Sequence, residues 1–454
     1  MNADQYRRRL TDPIKDETRM AVRWGLGHQL PRTIMAIAGH RGDLQGQMVG
    51  AAGHNGDPFP VFERMRAAGP LYRGRFAYVT TSLPVAREVL SSHDFRARSN
   101  RRSISGPVGR LLAWSGATRA LGPLDPPSLL ATEPPEHTRY RKLVARVFSA
   151  RAVAALRERA EVIAAELLDG LAGRREVDLV PTYCTALPLT IIGEILGVPA
   201  AEHHRVLAFG QAAAPSLDLG LSWPTFRRVE SSLHDFDVWL GQHLARLRAD
   251  PQDDLLSQLV SAQDEGVGLT ETELRSIAGL VLSAGFETTV NLLGNGTALL
   301  LEHPDQRAVL DTSPELWPNA VDEMLRLDPP VLLTGRTAQS DTELAGVQIP
   351  RGTVVTAALA AANRDPEVFS DPDRFDVTRH NAKEHVSFSA GRHFCLGAAL
   401  ARMEGEVGLR TLFARHPHLR AQTGARRRET RILRGYANFP VDLGPPADTP
   451  VQKV

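Results

Sequence analysis

The spacing of apolar residues predicts a chain that is mainly helical. The longest predicted helix begins at a capping box formed by Thr270 and Glu273 and ends at His303-Pro304, so it has roughly thirty residues with an apolar interior and would cross a whole domain. Prolines mark the breaks between further helices, which the pattern places at residues 151–172, 185–198, 201–214 and 225–249.

Short apolar stretches add a small amount of β-structure. Residues 71–73 and 77–80 flank Gly74 and predict two short strands, and the residues that follow predict a helix through Leu90. Residues 99–131 carry too many prolines and glycines for one helix and are too long for a plain connection, so we expect a functional loop there. The predicted fold class is therefore mainly α with small β-sheets.

The two ends of the chain differ from its middle in composition and in the periodicity of apolar residues. Residues 1–56 are polar, contain glycine and lack a long periodic pattern, so we expect an extended N-terminal arm before the fold begins near Asp57. Within this arm, residues 19–38 mix arginines with apolar residues, which fits a helix packed on the body of the protein better than an amphipathic helix on a membrane. The proline-rich residues 445–454 predict a disordered tail.

Composition and charge argue against several classes of function. The 454 residues include 53 Lys and Arg against 52 Asp and Glu, a balance that gives no indication of nucleic acid or of an anionic membrane as partner. Cys184 and Cys395 are far apart in sequence, which argues against a disulfide scaffold or a zinc site and for a reducing compartment. With no signal-like start and no apolar run of roughly 18 residues, we expect a cytoplasmic monomer.

One of the two cysteines stands in a segment with an unusual pattern. In Phe388–Gly397, Cys395 lies between two glycines and before a helix predicted by the spacing of Leu400, Met403 and Val407. A helix N-terminus favours a negatively charged sulfur. Gly391 would permit a sharp turn, and Gly397 would permit close approach of backbone or of a flat ligand. A lone cysteine is more often a small buried apolar residue, so the surrounding pattern has to carry the functional interpretation.

Three other short patterns combine charged or polar residues at helical spacing. His137 and Arg141 are four residues apart and can share one anion, although a solvated basic face is the commoner outcome. In the middle of the long helix, Thr288 can bond to the carbonyl group of Ala284, but that does not explain the acidic Glu287 beside it. Glu323 and Arg326 have the spacing of an ion pair on one helix turn.

The cysteine segment resembles the haem-binding loop of the cytochrome P450 family. Its pattern Phe-x-x-Gly-x-His-x-Cys-x-Gly is matched here by Phe388, Gly391, His393, Cys395 and Gly397, whereas Ser389 stands where that family usually has glycine. The resemblance covers residues 57–444 in the family's order and is greatest to soluble actinobacterial members. It implies a single catalytic domain with the cytochrome P450 fold, with haem b between the long central helix and the helix that follows the loop.

The resemblance also implies roles for individual residues. Cys395 would be the axial thiolate of the haem iron. In the central helix, the stretch from Ala284 to Thr289 resembles the family's oxygen-binding groove, in which Gly285 would loosen the helix, Thr288 would hydrogen-bond dioxygen and Glu287 would relay protons. The residues implied to bind the haem propionates are His137, Arg141, Arg336 and His393. The residues implied to form a charge network that braces the cysteine loop are Glu323, Arg326 and Arg374.

The resemblance implies a haem-thiolate monooxygenase. Such an enzyme would use O2 and two electrons from a ferredoxin, supplied by an NAD(P)H-dependent ferredoxin reductase, to oxidise a lipophilic small molecule. The pocket residues expected by region are aliphatic or aromatic: Leu111, Leu112, Leu217, Leu219, Leu280, Val331, Leu332 and Phe439. A peroxygenase or a haem sensor of the same fold would need neither Glu287 nor Thr288, and a cysteine hydrolase built on Cys395 and His393 has no identifiable oxyanion hole.

Overall fold

The computed structural model describes residues 13–51, 57–97, 106–116, 122–145, 148–261, 263–264 and 267–445. Helices make up most of this part of the chain, and short π-helical turns precede two of them at Gly25–Gln29 and Val180–Cys184. The α-helices are α1 (Pro13–Trp24), α2 (Leu30–His40), α3 (Leu44–Ala51), α4 (Phe59–Ala67), α5 (Leu83–Ser91), α6 (Gly106–Ser115), α7 (Glu136–Ala145), α8 (Ala150–Asp169), α9 (Ala186–Ile195), α10 (His203–Ala213), α11 (Trp223–Ala249), α12 (Leu255–Ser261), α13 (Glu271–Glu302), α14 (Pro304–Thr312), α15 (Trp317–Leu327), α16 (Leu359–Ala362) and α17 (Ala398–Arg415).

The strands are short and form small sheets at the edge of the helical body. They are β1 (Tyr72–Arg73), β2 (Tyr78–Thr80), β3 (Phe95–Arg96), β4 (Glu176–Asp178), β5 (Gln263–Asp264), β6 (Val267–Gly268), β7 (Thr334–Ala338), β8 (Thr342–Leu344), β9 (Val347–Ile349), β10 (Val354–Ala357), β11 (Arg420–Ala421), β12 (Arg426–Arg427), β13 (Tyr436–Asn438) and β14 (Pro440–Asp442). The largest sheet has the order β1-β2-β10-β7-β3, in which β2 and β10 run parallel. A second sheet has the order β11-β14-β4, and β5–β6, β8–β9 and β12–β13 are two-stranded. The predicted fold class is confirmed.

The long helix α13 is the centre of the fold, and we call it the central helix. Its N-terminus has the predicted capping box, because Thr270 Oγ1 accepts from the Glu273 N–H and the Glu273 carboxylate accepts from the Thr270 N–H. Helix α17 packs closely against it where Gly405 and Gly408 face Leu292 and Leu293. By length and composition this helix could cross a membrane, but 72% of its apolar window is buried in the protein, as in a core helix.

The prediction of an extended N-terminal arm is wrong for the described part of residues 1–56. Residues 13–51 form helices α1 to α3, because their apolar side chains gain burial against the body of the protein. Met35 and Met48 are buried, and the Trp24 indole N–H donates to the Leu221 carbonyl group at 2.9 Å. The prediction of a packed helix within residues 19–38 is therefore confirmed. The predicted disordered tail lies, apart from Pro445, outside the described residues.

Candidate functional site

The cysteine loop, residues 388–397, is held by its own backbone and by contact with helix α5. The Cys395 N–H donates to the Phe388 carbonyl group at 2.9 Å, and the chain turns through Gly391 with φ of +66°. A Cβ atom at Gly391 would lie 2.7 Å from the Leu90 carbonyl oxygen, so glycine is required there both for the backbone angle and for space. The turn predicted at Gly391 is confirmed.

Two further residues of the loop show how it is fixed in place. Ser389, which stands where the family usually has glycine, adopts a left-handed conformation with φ of +63°, and its hydroxyl group accepts a hydrogen bond from Arg336 Nη2 at 3.3 Å. The ring of Phe388 is buried, with the Phe394 ring 6.3 Å away and the Arg402 guanidinium 4.6 Å above it. Aromatic and cationic contacts therefore hold the start of the loop.

Cys395 faces an internal space. Protein atoms surround the side chain on most sides, yet it keeps accessible surface, as a residue does when it borders a cavity. Burial raises the pKa of its thiol, while the Gly397 N–H and the charges of Arg141 and Arg402 lower it. The expected thiolate is thus favoured by its neighbours but not by its burial, so a positive charge at the sulfur is needed to hold it ionised.

Glycine at position 397, unlike glycine at position 391, is required neither by the backbone angle nor by contact with protein atoms. Its φ of −88° is open to any residue, and a Cβ atom there would meet no heavy atom within 4 Å. The side of the loop next to Cys395 is therefore open, as a flat ligand over the sulfur requires.

The middle of the central helix also borders a space inside the protein. Ala284 is exposed and Thr288 is partly exposed, although the adjacent Phe286 and Glu287 are buried. The Thr288 hydroxyl group donates to the Ala284 carbonyl group at 3.0 Å, which leaves its oxygen free to accept. Gly285 does not loosen the helix, which is regular here; a Cβ atom at this position would lie 3.0 Å from Ile192 Cδ1, so glycine permits close packing.

Glu287 is buried and faces the C-terminal hairpin. Its Oε1 lies 2.5 Å from Nη1 of Arg428, but within the described residues neither carboxylate oxygen accepts a well-directed hydrogen bond, so the contact is mainly one of charge. Burial raises the pKa of this carboxyl group and the Arg428 guanidinium opposes that shift. The structure brings Thr288 and Ala284 together at the open side of the helix and holds Glu287 by Arg428, which the sequence interpretation did not include.

A second acid is buried behind this part of the central helix. Glu404 of helix α17 is 1% exposed and interacts with the Thr289 hydroxyl group. Burial raises its pKa to about 8, and the hydrogen bond with Thr289 reduces that shift only in part. Its Oε2 has no hydrogen-bond partner within the described residues, so burial favours the neutral form of Glu404.

Basic side chains from three segments, helix α7, strand β7 and the cysteine loop itself, meet at this site. The rings of His137 and His393 are 4.5 Å apart, and His393 Nε2 lies 3.3 Å from Glu133 Oε1. Burial lowers the pKa of His137 to about 4, and the charges of His393 and Arg141 add to the effect. Burial also lowers the pKa of Arg336, to about 10, against the attraction of Glu133. All four predicted propionate ligands therefore lie in one region.

The carboxylate that shares this region is Glu133. Burial would raise its pKa, but hydrogen bonds from His393, the Ala97 N–H and Arg392 lower it to about 2. Arg336 donates to neutral oxygens, those of Thr334, Gly335 and Ser389. A buried guanidinium with neutral partners is a site for an added anion.

The charge network predicted from Glu323 and Arg326 is present, with one correction. Both side chains are fully buried, and Arg326 Nε donates to Glu323 Oε2 at 2.6 Å. The third side chain is not Arg374, which is exposed and contributes only its carbonyl oxygen to Arg326. It is Arg379, whose Nε lies 3.0 Å from Glu323 Oε1. The turn at Asp371–Arg374 points its carbonyl groups inward, so the next buried arginine takes the place beside the acid.

This network extends to the residues that precede the cysteine loop. Arg326 donates to the Asn363 carbonyl group at 2.9 Å, and the Asn363 side chain accepts from the Val386 N–H and donates to Ser387 Oγ. Ser387 in turn donates to the Leu325 carbonyl group at 2.6 Å. A continuous set of buried hydrogen bonds therefore fixes the chain immediately before Phe388.

The pocket residues expected by region differ in burial. Leu111 and Leu219 are exposed, while Leu280 and Leu332 are buried. Phe439 lines a small surface pocket with Ala298 and Leu301 near the far end of the central helix, so it does not belong to this site.

These features together fit a flat iron cofactor that carries carboxylates. The fit rests on the accessible sulfur, the open side of Gly397, the exposed stretch of the central helix and the buried Arg336 guanidinium, whose hydrogen-bond partners among the described residues are neutral oxygens. Cys395 is the residue that could bind iron, and the residues that could bind carboxylates are His137, Arg141, Arg336 and His393.

Comparison with known proteins gives the same indication. The sequence model of the family described as Cytochrome P450 matches residues 315–430. The chain is 52% identical over 428 residues, 93% of its length and 98% of the relative, to a Mycobacterium tuberculosis protein named cytochrome P450 140. It is 39% identical to 6-deoxyerythronolide B hydroxylase of Saccharopolyspora erythraea, over 85% of this chain and 96% of that protein. Among solved structures, the tirandamycin C-bound P450 monooxygenase TamI matches with a TM-score of 0.76 and 36% identity, covering 86% of this chain and 98% of its own.

Proposed function

The chain belongs to the cytochrome P450 family of haem b monooxygenases, and on that premise we propose that it hydroxylates or epoxidises a bulky lipophilic molecule with electrons from a ferredoxin. The observation that carries the proposal is the accessible stretch formed by Ala284 and Thr288 in the middle of a helix that is largely buried. A core helix exposes side chains at its centre only where it borders a cavity, and a hydroxyl group at that place can bind a polar reactant.

The haem b would be held by Cys395 and by the basic cluster. The sulfur would bind the iron, and its ionised form would be supported by the Gly397 N–H and the Arg141 guanidinium. The propionates would accept from Arg336, Arg141 and the two histidines, which would relieve the unpaired buried charge of Arg336. When bound, haem supplies the reductive activation of O2.

Thr288 would hold and pass a proton at the reacting centre. Its oxygen can accept a hydrogen bond while its own proton is donated to the Ala284 carbonyl group, and rotation about χ1 redirects that proton towards the cavity. Glu287 would supply protons through water once its carboxylate leaves Arg428. Arg428 would therefore control this supply, because its charge favours the ionised form of Glu287 and holds the carboxylate at the C-terminal hairpin.

The relatives support a substrate of the polyketide type. One is named a 6-deoxyerythronolide B hydroxylase, and the solved structure of another contains tirandamycin C. We propose a substrate of comparable size and low polarity, bound above the exposed stretch of the central helix. A soluble ferredoxin with its NAD(P)H-dependent reductase and a cytoplasmic location complete the proposal, in keeping with the bacterial relatives.

The test compares two threonines of the central helix that make the same bond. Thr288 donates to the carbonyl group four residues back at 3.0 Å, and the buried Thr297 does the same to Leu293 at 2.7 Å. With a substrate found by screening lipophilic compounds for a Soret shift, Thr288→Ala should keep NADH oxidation, lose oxygenated product and release H2O2. Thr297→Ala should keep its coupling. Unchanged coupling in Thr288→Ala would show that the hydroxyl group serves packing only.

A further inference from the structure

One carboxylate joins the N-terminus of the central helix to helix α7, which carries His137 and Arg141 of the basic cluster. Glu273 Oε1 accepts hydrogen bonds from the Tyr140 hydroxyl group and from Arg139 Nη2, each at 2.5 Å. Arg139 and Tyr140 are consecutive residues of helix α7 and lie between the two predicted propionate ligands. The acid of the capping box therefore also binds the helix that would hold the cofactor.

The two oxygens of Glu273 have different partners. Oε2 accepts from the Thr270 N–H at 2.8 Å, which completes the capping box, so Oε1 is the oxygen that binds helix α7. Burial would raise the pKa of this carboxyl group, but hydrogen bonds from Tyr140 and Thr270 and the charge of Arg139 lower it. An ionised acceptor makes the bond from the Tyr140 hydroxyl group stronger than a bond between neutral groups.

The attachment lies on the same face of helix α7 as the cofactor ligand His137. His137, Tyr140 and Val144 are the buried residues of the helix, and their spacing places them on one face. The Tyr140 side chain is 3% exposed and belongs to the hydrophobic core. The Arg139 guanidinium lies 4.9 Å from the Tyr140 ring, and its Nη1 donates to the Gly268 carbonyl group at 3.4 Å. Helix α7 is therefore fixed on the side that faces the site.

Helix α7 reaches the cysteine loop at two residues. The His137 ring lies 4.5 Å from the ring of His393, and the charge of Arg141 lowers the pKa of the Cys395 thiol against the effect of burial. A movement of this helix would therefore take two of the four propionate ligands away from the loop together.

We propose that Glu273 and Tyr140 are positioning residues for haem, because their hydrogen bond lets the central helix hold α7 where His137 and Arg141 bind the propionates. The inference rests on the proposed function in one respect, namely that helix α7 binds the haem carboxylates. Haem leaves when its ligands move away, so the attachment of α7 sets how often that occurs. Loss of one hydrogen bond to a charged group should raise the displaced fraction of α7 about tenfold.

The first test measures haem transfer from the loaded protein to apomyoglobin. Tyr140→Phe removes the hydroxyl group but keeps the buried ring and the capping box, and it should speed transfer about tenfold. Glu273→Gln should speed transfer at least as much, because it also weakens the contact with Arg139.

Two matched controls separate this attachment from a general loss of stability. Tyr183→Phe removes another buried hydroxyl group, which donates to the Gly408 carbonyl group at 2.7 Å. Glu271→Gln changes an acid in the same first turn, whose partners Arg248 and Arg275 lie on α11 and on the central helix itself. Since these partners lie outside α7, both controls should leave haem transfer within about twofold, even where the urea midpoint falls.

Two results of this test would overturn the inference. One is transfer at the wild-type rate in Tyr140→Phe, which would show that the bond serves packing only. The other is an equal increase in Tyr183→Phe, since general loosening of the fold would then explain the rates.

The second test does not depend on the cofactor. Hydrogen exchange in the peptide that contains residues 136–145 should be about tenfold faster in Tyr140→Phe than in the wild type, with or without haem, and unchanged in Tyr183→Phe. If the protein bound no haem, the proposed function would fail, and exchange would still decide whether Glu273 holds helix α7. Exchange at the wild-type rate in Tyr140→Phe would contradict the inference.

Discussion

Replacement of Glu404 by glutamine should stabilise the protein, and the gain should grow with pH. The side chain is fully enclosed, and burial raises its pKa from 4.5 to about 8. Because the folded-state pKa is raised, the contribution of Glu404 to stability is fully present below pH 4.5 and is lost as pH rises through about 8. Glutamine has the shape of the neutral acid and can keep the hydrogen bond with Thr289. Because glutamine does not ionise, folding does not require its side chain to stay protonated as pH rises.

The size of the effect follows from the two pKa values. One pKa unit corresponds to about 1.4 kcal/mol, so the advantage of glutamine should be about 1 kcal/mol at about pH 5, about 3 kcal/mol at pH 7 and about 4 kcal/mol at about pH 8. The assay is urea unfolding followed by far-UV circular dichroism over this range, at equal haem content. The slope with urea should be unchanged, because the variant does not alter the surface exposed on unfolding.

A neighbouring acid on the same helix provides the control. Glu406 is half-buried, and its carboxylate pairs at 2.7 Å with Arg157, which is partly exposed to solvent. Glu406→Gln should therefore lower stability by roughly 1 kcal/mol or less and should not reproduce the gain. A Glu404→Gln protein that is no more stable than the wild type at about pH 8, or a difference that does not change with pH, would refute the assignment of Glu404 as a buried neutral acid.

Three further predictions concern the loop and its supports. Arg379→Ala should cost about 3–5 kcal/mol because it leaves Glu323 short of a buried partner, whereas Arg374→Ala should stay within about 0.5 kcal/mol; equal costs in thermal unfolding would contradict the correction. Ser389→Gly should be more stable than Ser389→Ala by about 1 kcal/mol, since both lack the hydroxyl group and only alanine keeps a Cβ atom at a positive φ; the reverse order would argue against strain. Arg336→Ala should speed haem transfer to apomyoglobin by about tenfold or more, and an unchanged rate would exclude Arg336 as a propionate ligand.

Local patterns were sufficient to predict much of the fold and of the site. The capping box at Thr270 and Glu273, the turn at Gly391 and the pair Glu323–Arg326 each depend on residues within a few positions of one another, and the structure has all three. Such features depend on backbone geometry and helix spacing, which the sequence displays directly.

The sequence could not supply partners that come from distant segments. Arg428 approaches Glu287 only because the β12–β13 hairpin packs on the central helix, and no spacing along the chain indicates that contact. Glu133 lies just before the predicted helix that carries His137. Its position before Pro134-Pro135 is the only feature of the sequence that could indicate its place in the site. For the same reason the sequence indicates Arg374 as the third member of the charge network, and only the packed structure shows that the buried arginine beside Glu323 is Arg379.

The sequence predicts a packed helix only within residues 19–38, and the helices over the rest of residues 13–51 differ from the expected extended arm for another physical reason. Their segment is polar and rich in glycine, so its own propensity for helix is low. It becomes helical because Trp24 and Met35 gain contacts on the body of the protein, and tertiary packing of this kind overrides local preference.

The most direct test of the central claim is the absorption spectrum of the reduced protein under CO. Thiolate ligation by Cys395 predicts a strongly red-shifted Soret band in freshly prepared protein and loss of that band in Cys395→Ser. The band should be retained in a Cys184→Ala control, since Cys184 is fully buried in the hydrophobic core. A Soret band at the position of histidine-ligated haem in the wild type, or a red-shifted band that survives in Cys395→Ser, would contradict the account.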